Sequence, residues 1–132
     1  MKKLLTLLGV LLISGCVASI STTIKEYEKV ADQVNLGDSK ARVLAVLNPT
    51  QAKLDTEYKK TPDRYIKNDV LVEIYYMRSG WQSDGLTTDD EFTPYIFNNG
   101  KLVGIGWAML GGAKTQGQAP TVIHNNNSVI VY

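Results

Sequence analysis

The spacing of apolar residues changes near Pro49, and this change limits the folds open to this chain of 132 residues. Before Pro49, apolar side chains recur every three or four positions, as at Ile24, Tyr27 and Val30. After it, apolar and polar side chains alternate, most clearly over residues 70–78. The first spacing is typical of a helix with one buried face and the second of a strand. Helices followed by a run of strands predict an α+β domain, with two N-terminal helices packed on a three- to four-stranded antiparallel sheet.

The two helices have recognisable start and stop signals. The first helix is predicted over residues 23–34, with Thr23 and Glu26 as a capping box at its N-terminus. The second is predicted to begin at Asp38-Ser39, whose side chains accept hydrogen bonds from helical N–H groups. It is predicted to stop at Asn48-Pro49, because proline cannot continue a helix. Short helices joined by a short loop should form a hairpin or a corner.

The sheet is predicted from alternation and from turn residues. The predicted strands, in chain order, are 52–59, 70–78, 92–97 and 101–107. Asn99-Gly100 lies between the last two, and Asn-Gly between apolar runs is a strong hairpin signal. The polar segments 59–68 and 80–90 are expected to be loops. Residues 108–121, rich in glycine and alanine, are expected to be a flexible connector.

The first fifteen residues are typical of a secretory leader. Lys2 and Lys3 give a positive start, and residues 4–13 form a mostly apolar run that is too short to span a bilayer. The last residue of this run begins the sequence Ile13-Ser14-Gly15-Cys16, which resembles a bacterial lipobox. That resemblance implies cleavage before Cys16 and acylation of its thiol and new amino group. An ordinary leader with an incidental cysteine is the alternative.

The lipobox resemblance also implies a location and a domain organisation. Val17, rather than Asp, follows Cys16, which by resemblance to proteobacterial lipoproteins favours the outer membrane if the source is Gram-negative. Two or three acyl chains on Cys16 would hold the chain firmly, whereas a single chain binds only marginally. The expected organisation is a leader at 1–15, the lipidated Cys16 and a tether over 16–22, an α+β domain over 23–112, and a C-terminal extension over 113–132.

A short motif at the start of the second helix resembles that of a known family. Gly37-Asp38-Ser39, followed by Val43, Leu47 and Pro49, is similar to the pattern of the BamE/SmpA-like domain and of β-lactamase-inhibitor-like domains. Asn48 stands where that pattern has glycine, and Pro49 comes one place early. The resemblance implies two helices that cover one face of an antiparallel sheet.

A longer stretch, over residues 72–107, resembles an uncharacterised family of small proteobacterial lipoproteins with a BamE-like domain. The residues that carry this resemblance are Asp84–Glu91, Thr93-Pro94, Phe97 and Gly100–Gly104. The resemblance implies a fold and a membrane location but no activity. The segment after Gly112 departs from the family pattern.

No catalytic residue, cofactor or metal is predicted. Four carboxylates occur within eight residues: Asp84, Asp89, Asp90 and Glu91. Their spacing does not match a calcium-binding EF-hand loop, so a solvated loop is the first interpretation and a calcium site the alternative. His124 is the only histidine and lies beside asparagines, without a nucleophile and base. Residues 111–115 are similar to the end of a phosphate-binding loop, but Ala113 stands where that motif needs glycine, so no phosphate loop is predicted. A formal charge of +1 gives no general attraction for nucleic acid.

Aromatic residues are the candidates for a partner-binding surface, because aromatic side chains dominate the energetics of protein interfaces. The candidates are Tyr75, Trp81, Tyr95 and Trp107. Alternation places Tyr75 and Tyr76 on opposite faces of the sheet, which predicts that one of them points outward. Simple core filling is the alternative.

The C-terminal tail is predicted to form a second hairpin. Residues 122–124 and 128–132 are expected to pair around Asn125–Asn127. The tail is apolar and β-branched, so it is expected to dock on its own sheet or, alternatively, on the edge of a partner.

The expected function follows from the leader and from the lack of catalytic residues. The chain is expected to be an outer-membrane-anchored periplasmic lipoprotein that binds another envelope protein without catalysis, in envelope assembly or maintenance. An inhibitor or regulator of a periplasmic enzyme is the alternative, and an enzyme acting on cell-wall or lipid material is a third.

Overall fold

The computed structural model describes residues 15–82, 86–112, 122–125 and 128–131; for residues 15–18 and the last two ranges it describes the backbone alone. The elements in these ranges are α1 (Gly15–Val30), α2 (Lys40–Gln51), β1 (Asp63–Lys67), β2 (Val70–Arg78), β3 (Phe92–Asn98), β4 (Lys101–Ile105), β5 (Val122–Asn125) and β6 (Ser128–Val131). β1 to β4 form an antiparallel sheet in the order β1-β2-β3-β4. The predicted α+β class, with helices that precede the sheet, is confirmed.

Both helices bury one stripe of side chains against the same face of the sheet. The stripes predicted from spacing are confirmed, because Tyr27 and Val34 are buried in the first helical region and Val43 and Leu47 in α2. They form one core with four side chains of the sheet: Met77, Tyr95, Phe97 and Leu102. Burying an aliphatic or aromatic side chain of this size stabilises the fold by about 1.5–3 kcal/mol, so this core is the main source of stability.

The opposite face of the sheet carries a second, smaller apolar cluster. Its members are Val72, Ile74, Ile96 and Leu110, with Val70, Tyr76, Val103 and Trp107 packed against them. The alternation predicted over residues 70–78 is therefore confirmed, because Val70, Val72, Ile74 and Tyr76 all face this cluster. Because both faces are covered, Tyr75 and Tyr76 are each half-buried, and the prediction that one of them points outward is wrong.

The helix boundaries differ from those predicted. α1 begins at Gly15, eight residues earlier than expected, so the predicted tether over 16–22 has helical backbone. Thr23 is a buried residue within α1 and not its cap. α2 contains Pro49 and continues to Gln51, because the Gln51 side-chain oxygen accepts a hydrogen bond of 2.8 Å from the Arg78 N–H. This contact with the sheet holds the last turn of the helix, although Pro49 has no N–H to donate.

The strand predicted over 52–59 is wrong. Leu54 is buried, but Ala52 and Thr56 are exposed, and a short 3-10 turn covers Thr56–Tyr58. The strand that pairs with β2 is β1, which lies in the segment predicted to be a loop. Four of its five residues are exposed, so its sequence lacks the alternation that marks a half-buried strand.

The turns at one end of the sheet are both built for left-handed backbone. The predicted hairpin at Asn99-Gly100 is confirmed, with φ of 48° and 78°. The turn between β1 and β2, at Asn68-Asp69, has the same conformation, with φ of 50° and 61°. Positive φ at both central positions is the geometry of a type I′ turn, which matches the twist of antiparallel strands. We call this the turn end of the sheet.

The predicted C-terminal hairpin is confirmed in its backbone, since β5 pairs with β6. This hairpin forms a separate two-stranded sheet and does not extend the hydrogen-bonded order of the four-stranded sheet. The connector predicted over 108–121 starts with a 3-10 turn at Trp107–Leu110, and its part over 113–121 lies outside the described residues. Within the described ranges, no helix combines the length and apolar character needed to cross a bilayer.

Candidate protein-binding surface

The two edges of the four-stranded sheet differ in how their backbone groups are used. At β4, the loop between the helices closes the start of the edge: Gly37 N–H donates to the Leu102 carbonyl at 2.8 Å, and Leu102 N–H donates to the Asp38 carbonyl at 2.9 Å. Lys40 N–H also donates to the Gly100 carbonyl at 2.8 Å. These bonds satisfy groups that an edge strand otherwise presents to solvent.

The β1 edge (Asp63–Lys67) is the other edge of the sheet. β1 is the last strand of the sheet, and no described strand pairs with its outer side. Ile66 is 74% exposed, the most exposed of the large apolar side chains in the described part of the chain. Arg64 and Lys67 place positive charges on either side of it. An open edge with an exposed apolar side chain is the surface to which an extended segment binds by strand addition.

A polar cleft lies where the chain enters β1. It has a volume of about 410 Å³ and is lined by Lys59, Lys60, Thr61, Asp63, Thr87, Thr88, Asp89 and Phe92. Lys60 and Asp89 of the cleft pair with each other, since Lys60 Nζ lies 3.1 Å from Asp89 Oδ1, and Lys60 Nζ also lies 4.9 Å from the centre of the Tyr76 ring. The Tyr76 hydroxyl donates to Asp63 Oδ2 at 2.5 Å. Burial, and then this hydrogen bond, raise the pKa of Tyr76 far above its ordinary value, which keeps the phenol neutral.

A buried ion pair closes the opposite end of the sheet from the turns. Arg78 Nη1 lies 3.0 Å from Glu91 Oε2, and both side chains are 1% exposed. Arg78 Nε also donates to the Tyr58 carbonyl at 2.9 Å, and the guanidinium carbon lies 4.7 Å from the Phe92 ring centre. Among the residues that the structure describes, Arg78 Nη2 has no hydrogen-bond partner. Through these contacts, Arg78 and Glu91 connect the segment before β1 to the end of β2 and to the start of β3.

Glu91 also organises the loop that precedes β3. It accepts hydrogen bonds from Thr88 N–H at 2.9 Å and from Gln82 N–H at 3.1 Å. Thr88 and Glu91 form a capping box around the 3-10 turn Asp89–Glu91. The sequence prediction missed this ion pair, although Thr88 followed three residues later by Glu91 is the signature of a capping box. The partner Arg78 had no local signal, because the pairing depends on how β2 and β3 come together.

The four aromatic candidates do not form one surface. Tyr95 is 1% exposed and its hydroxyl lies 2.7 Å from that of Tyr27, so its placement on a binding surface is wrong. The reason is that β3 is a central strand and Tyr95 lies beneath α1. Tyr75, on the same face, packs edge-to-face on Phe97 with ring centres 5.8 Å apart.

The other two candidates lie elsewhere. Trp107 is half-buried on the opposite face, where it stacks on Tyr76 at 5.6 Å and its indole N–H donates to the Phe92 carbonyl. Trp81, just beyond the end of β2, is exposed. Trp81 is thus the one of the four that the structure presents to solvent.

The carboxylates around residue 90 face different partners. Asp89 pairs with Lys60, whereas Asp90 accepts hydrogen bonds from Thr88 and from Gln82. Asp84 lies outside the described residues. In the ranges that the structure covers, no group of three or more His, Cys, Asp or Glu side chains could hold a metal ion. The side chains of Cys16 and His124 lie outside the description.

Fold and surface together define a two-layer α+β domain whose β4 edge is covered by its own loop, while no described strand pairs with the outer side of β1. The chain belongs to the family described as "Protein of unknown function (DUF3192)", whose model matches residues 21–111. This match takes in both helices' packed residues and the whole four-stranded sheet. Neither the curated proteins nor the solved structures gave a match.

Proposed function

We propose that this protein is a periplasmic lipoprotein, anchored to the outer membrane through a lipid on Cys16, that binds another envelope protein without catalysis. The observation that carries the binding role is the β1 edge with its exposed Ile66, because no described strand pairs with its outer side, whereas the protein's own loop covers the β4 edge. Strand addition there would give affinity through backbone hydrogen bonds and specificity through alternate side chains.

The side chains on the β1 edge indicate which kind of extended segment could bind there. Arg64 and Ile66 lie on one face of β1, because they pair with Glu73 and Leu71 of β2. Lys67 lies on the other face. An extended segment with an apolar side chain opposite Ile66 and carboxylates near Arg64 and Lys67 is complementary to this edge.

The lipid anchor is supported by the sequence. A positive start and a short apolar run precede Ile13-Ser14-Gly15-Cys16, and Cys16 is the chain's single cysteine. The resemblance to BamE-like proteobacterial lipoproteins agrees with this location. A role in envelope assembly or maintenance is the first proposal, and inhibition or regulation of a periplasmic enzyme is the alternative, since the motif at the start of the second helix also resembles β-lactamase-inhibitor-like domains.

Site-specific photo-crosslinking in intact cells tests the binding edge. A photoreactive amino acid is placed at Ile66 in β1 or, as a matched control, at Leu36 between the helices, which is 65% exposed. We expect a specific envelope protein to be crosslinked from position 66 and not from position 36. The identity of that protein decides the role, because an assembly factor should capture barrel-assembly components and an inhibitor should capture a hydrolase.

Purified components then test the contact itself. Ile66→Asp places a carboxylate in the complementary strand's apolar contact and should weaken binding of the crosslinked protein about tenfold, which is 1.4 kcal/mol. Leu36→Asp should leave the affinity unchanged. Equal affinities for the Ile66→Asp variant and the unmodified protein would contradict binding at this edge.

A further inference from the structure

The direction of α1 is set by its contacts with the sheet. After the helix, Val34 belongs to the same core as Leu102, and Gly37 N–H donates to the Leu102 carbonyl at 2.8 Å, next to the turn end. One to two turns earlier along the chain, the Tyr27 hydroxyl meets that of Tyr95, which is nearer the start of β3. α1 therefore runs toward the turn end, and its N-terminus points to the other end of the sheet. We call that other end the anchor end; it is formed by Arg78, Phe92 and Ile105.

Little chain separates Cys16 from the folded core. Ile20 is only 4% exposed, so the core-packed part of α1 begins four residues after Cys16. Four residues span about 6 Å as a helix and at most about 14 Å when extended. The headgroup region on one side of a bilayer is about 5–8 Å thick. A lipid on Cys16 would thus hold the anchor end within contact distance of the headgroups.

The anchor end also carries exposed apolar side chains. Trp81 follows β2 and is 47% exposed, Ile105 ends β4 and is 42% exposed, and Met109 in the following 3-10 turn is 56% exposed. Gly80 N–H donates to the Glu91 carbonyl at 3.0 Å, which places the segment carrying Trp81 beside the start of β3. Trp107 N–H bonds the Phe92 carbonyl, which places the turn carrying Met109 there as well.

We infer that the anchor end is seated on the lipid surface, with Trp81, Ile105 and Met109 at the boundary between headgroups and acyl chains. Tryptophan favours this boundary because its ring is apolar and its N–H is polar. The inference rests on the proposed lipid at Cys16, and it adds an orientation: Ile66, near the turn end of β1, faces away from the membrane. A partner could then reach the β1 edge from the periplasm.

Tryptophan quenching by brominated lipid tests this seating. The full-length lipidated protein is reconstituted in phosphatidylcholine vesicles with or without bromine on the acyl chains. Trp107→Phe leaves Trp81 as the single tryptophan, and Trp81→Phe leaves the half-buried Trp107. We expect bromine to cause a larger loss of emission from the exposed Trp81 than from Trp107, which also lies near the anchor end but is half-buried. Equal emission of Trp81 in both kinds of vesicle would overturn the seating.

A second pair of variants guards against misfolding of the tryptophan variants. Met109→Cys and Ile66→Cys alter exposed positions, and each carries a fluorescent label because lipidation blocks the thiol of Cys16. The label at position 109 should be quenched by brominated lipid and the label at position 66 should not. Mass spectrometry of the same samples separates the two claims. Absence of lipid contradicts the anchor, whereas an anchored protein with both labels unquenched contradicts the seating alone.

Discussion

Among single residues, the buried charged side chains carry a large unfavourable desolvation free energy. Arg78 and Glu91 are both buried, and their attraction offsets the desolvation of each only while both are present. The unpaired Nη2 of Arg78 makes the balance less favourable than in a fully hydrogen-bonded pair. The ion pair therefore holds the end of β2 against the start of β3, and loss of either charge should destabilise the fold.

Replacing Glu91 by glutamine should destabilise the protein by about 3–5 kcal/mol, because it leaves the Arg78 charge buried and unpaired. Urea unfolding followed by circular dichroism measures this change. Asp90→Asn, at the exposed neighbouring carboxylate, is the matched control and should change the free energy of unfolding by less than about 0.5 kcal/mol. Equal midpoints for the two variants would show that the ion pair does not organise this end of the sheet.

The buried tyrosine pair should make stability fall in alkali. Burial, followed by the hydrogen bond to Tyr27, raises the pKa of Tyr95 far above its ordinary value. A raised pKa in the folded state means that this contribution to stability is complete below about pH 10, the ordinary pKa of the unfolded phenol, and is lost as the pH rises above it. Between about pH 10 and 11 the loss should be about 1 kcal/mol.

Tyr95→Phe removes this component, so its free energy of unfolding should fall less than that of the unmodified protein between about pH 8 and 11. Urea titrations of both proteins at the two values measure the difference, and the titration of lysines cancels between them. Parallel losses in the two proteins would mean that Tyr95 ionises as readily in the folded chain as in the unfolded one.

Among the helices, strands and turns, the turns can be predicted from sequence because the residues that form them act locally. A strand with few buried side chains cannot be predicted in this way. The hairpin of β3 and β4 has apolar flanks around Asn99-Gly100, and the pattern needed no tertiary information. β1 has almost no buried side chain, so only its pairing with β2 makes it a strand. The last turn of α2 likewise depends on Gln51 reaching the backbone of β2. Periodicity therefore predicted the elements that bury a face and missed those held by backbone or single polar contacts.

Two glycines offer a matched test of the turn. Gly100 has φ of +78°, and a Cβ added there would have no atom within 4 Å, so Gly100→Ala carries only the conformational cost of left-handed backbone. That cost is about 1–2 kcal/mol. Gly80 lacks a positive φ, and a Cβ there would meet its nearest atom at 3.8 Å, so Gly80→Ala should be near neutral. Thermal unfolding compares them, and a Gly100→Ala variant as stable as Gly80→Ala would contradict the turn assignment.

At the scale of the whole molecule, the candidate site depends on contacts that sequence spacing does not reveal. The aromatic candidates were chosen for residue type, and the structure distributes them over the core, the opposite face and the anchor end. The two edges of the sheet differ because the loop after α1 folds back on β4, whereas no described strand pairs with the outer side of β1. The proposed leader, in contrast, is a pattern of linear spacing, so the lipid anchor can be proposed from sequence alone, whereas the β1 edge as a binding surface can be proposed only from the fold.

The anchor should decide where the whole molecule resides. Cys16→Ser removes the thiol that would carry the diacylglycerol, so the variant should leave the outer-membrane fraction. Cell fractionation and immunoblotting measure this, with Ser19→Ala in α1 as the control that should stay in the membrane. Equal membrane content for the Cys16→Ser variant would contradict anchoring through this residue.

The mass of the protein purified from native outer membranes tests the proposed lipid anchor at Cys16. The proposed location of the protein and the proposed orientation of the β1 edge both depend on this anchor. We expect a chain that begins at Cys16 and carries a diacylglycerol on the thiol and an acyl group on the amine. A chain that retains residues 1–15 and a free thiol at Cys16 would contradict it.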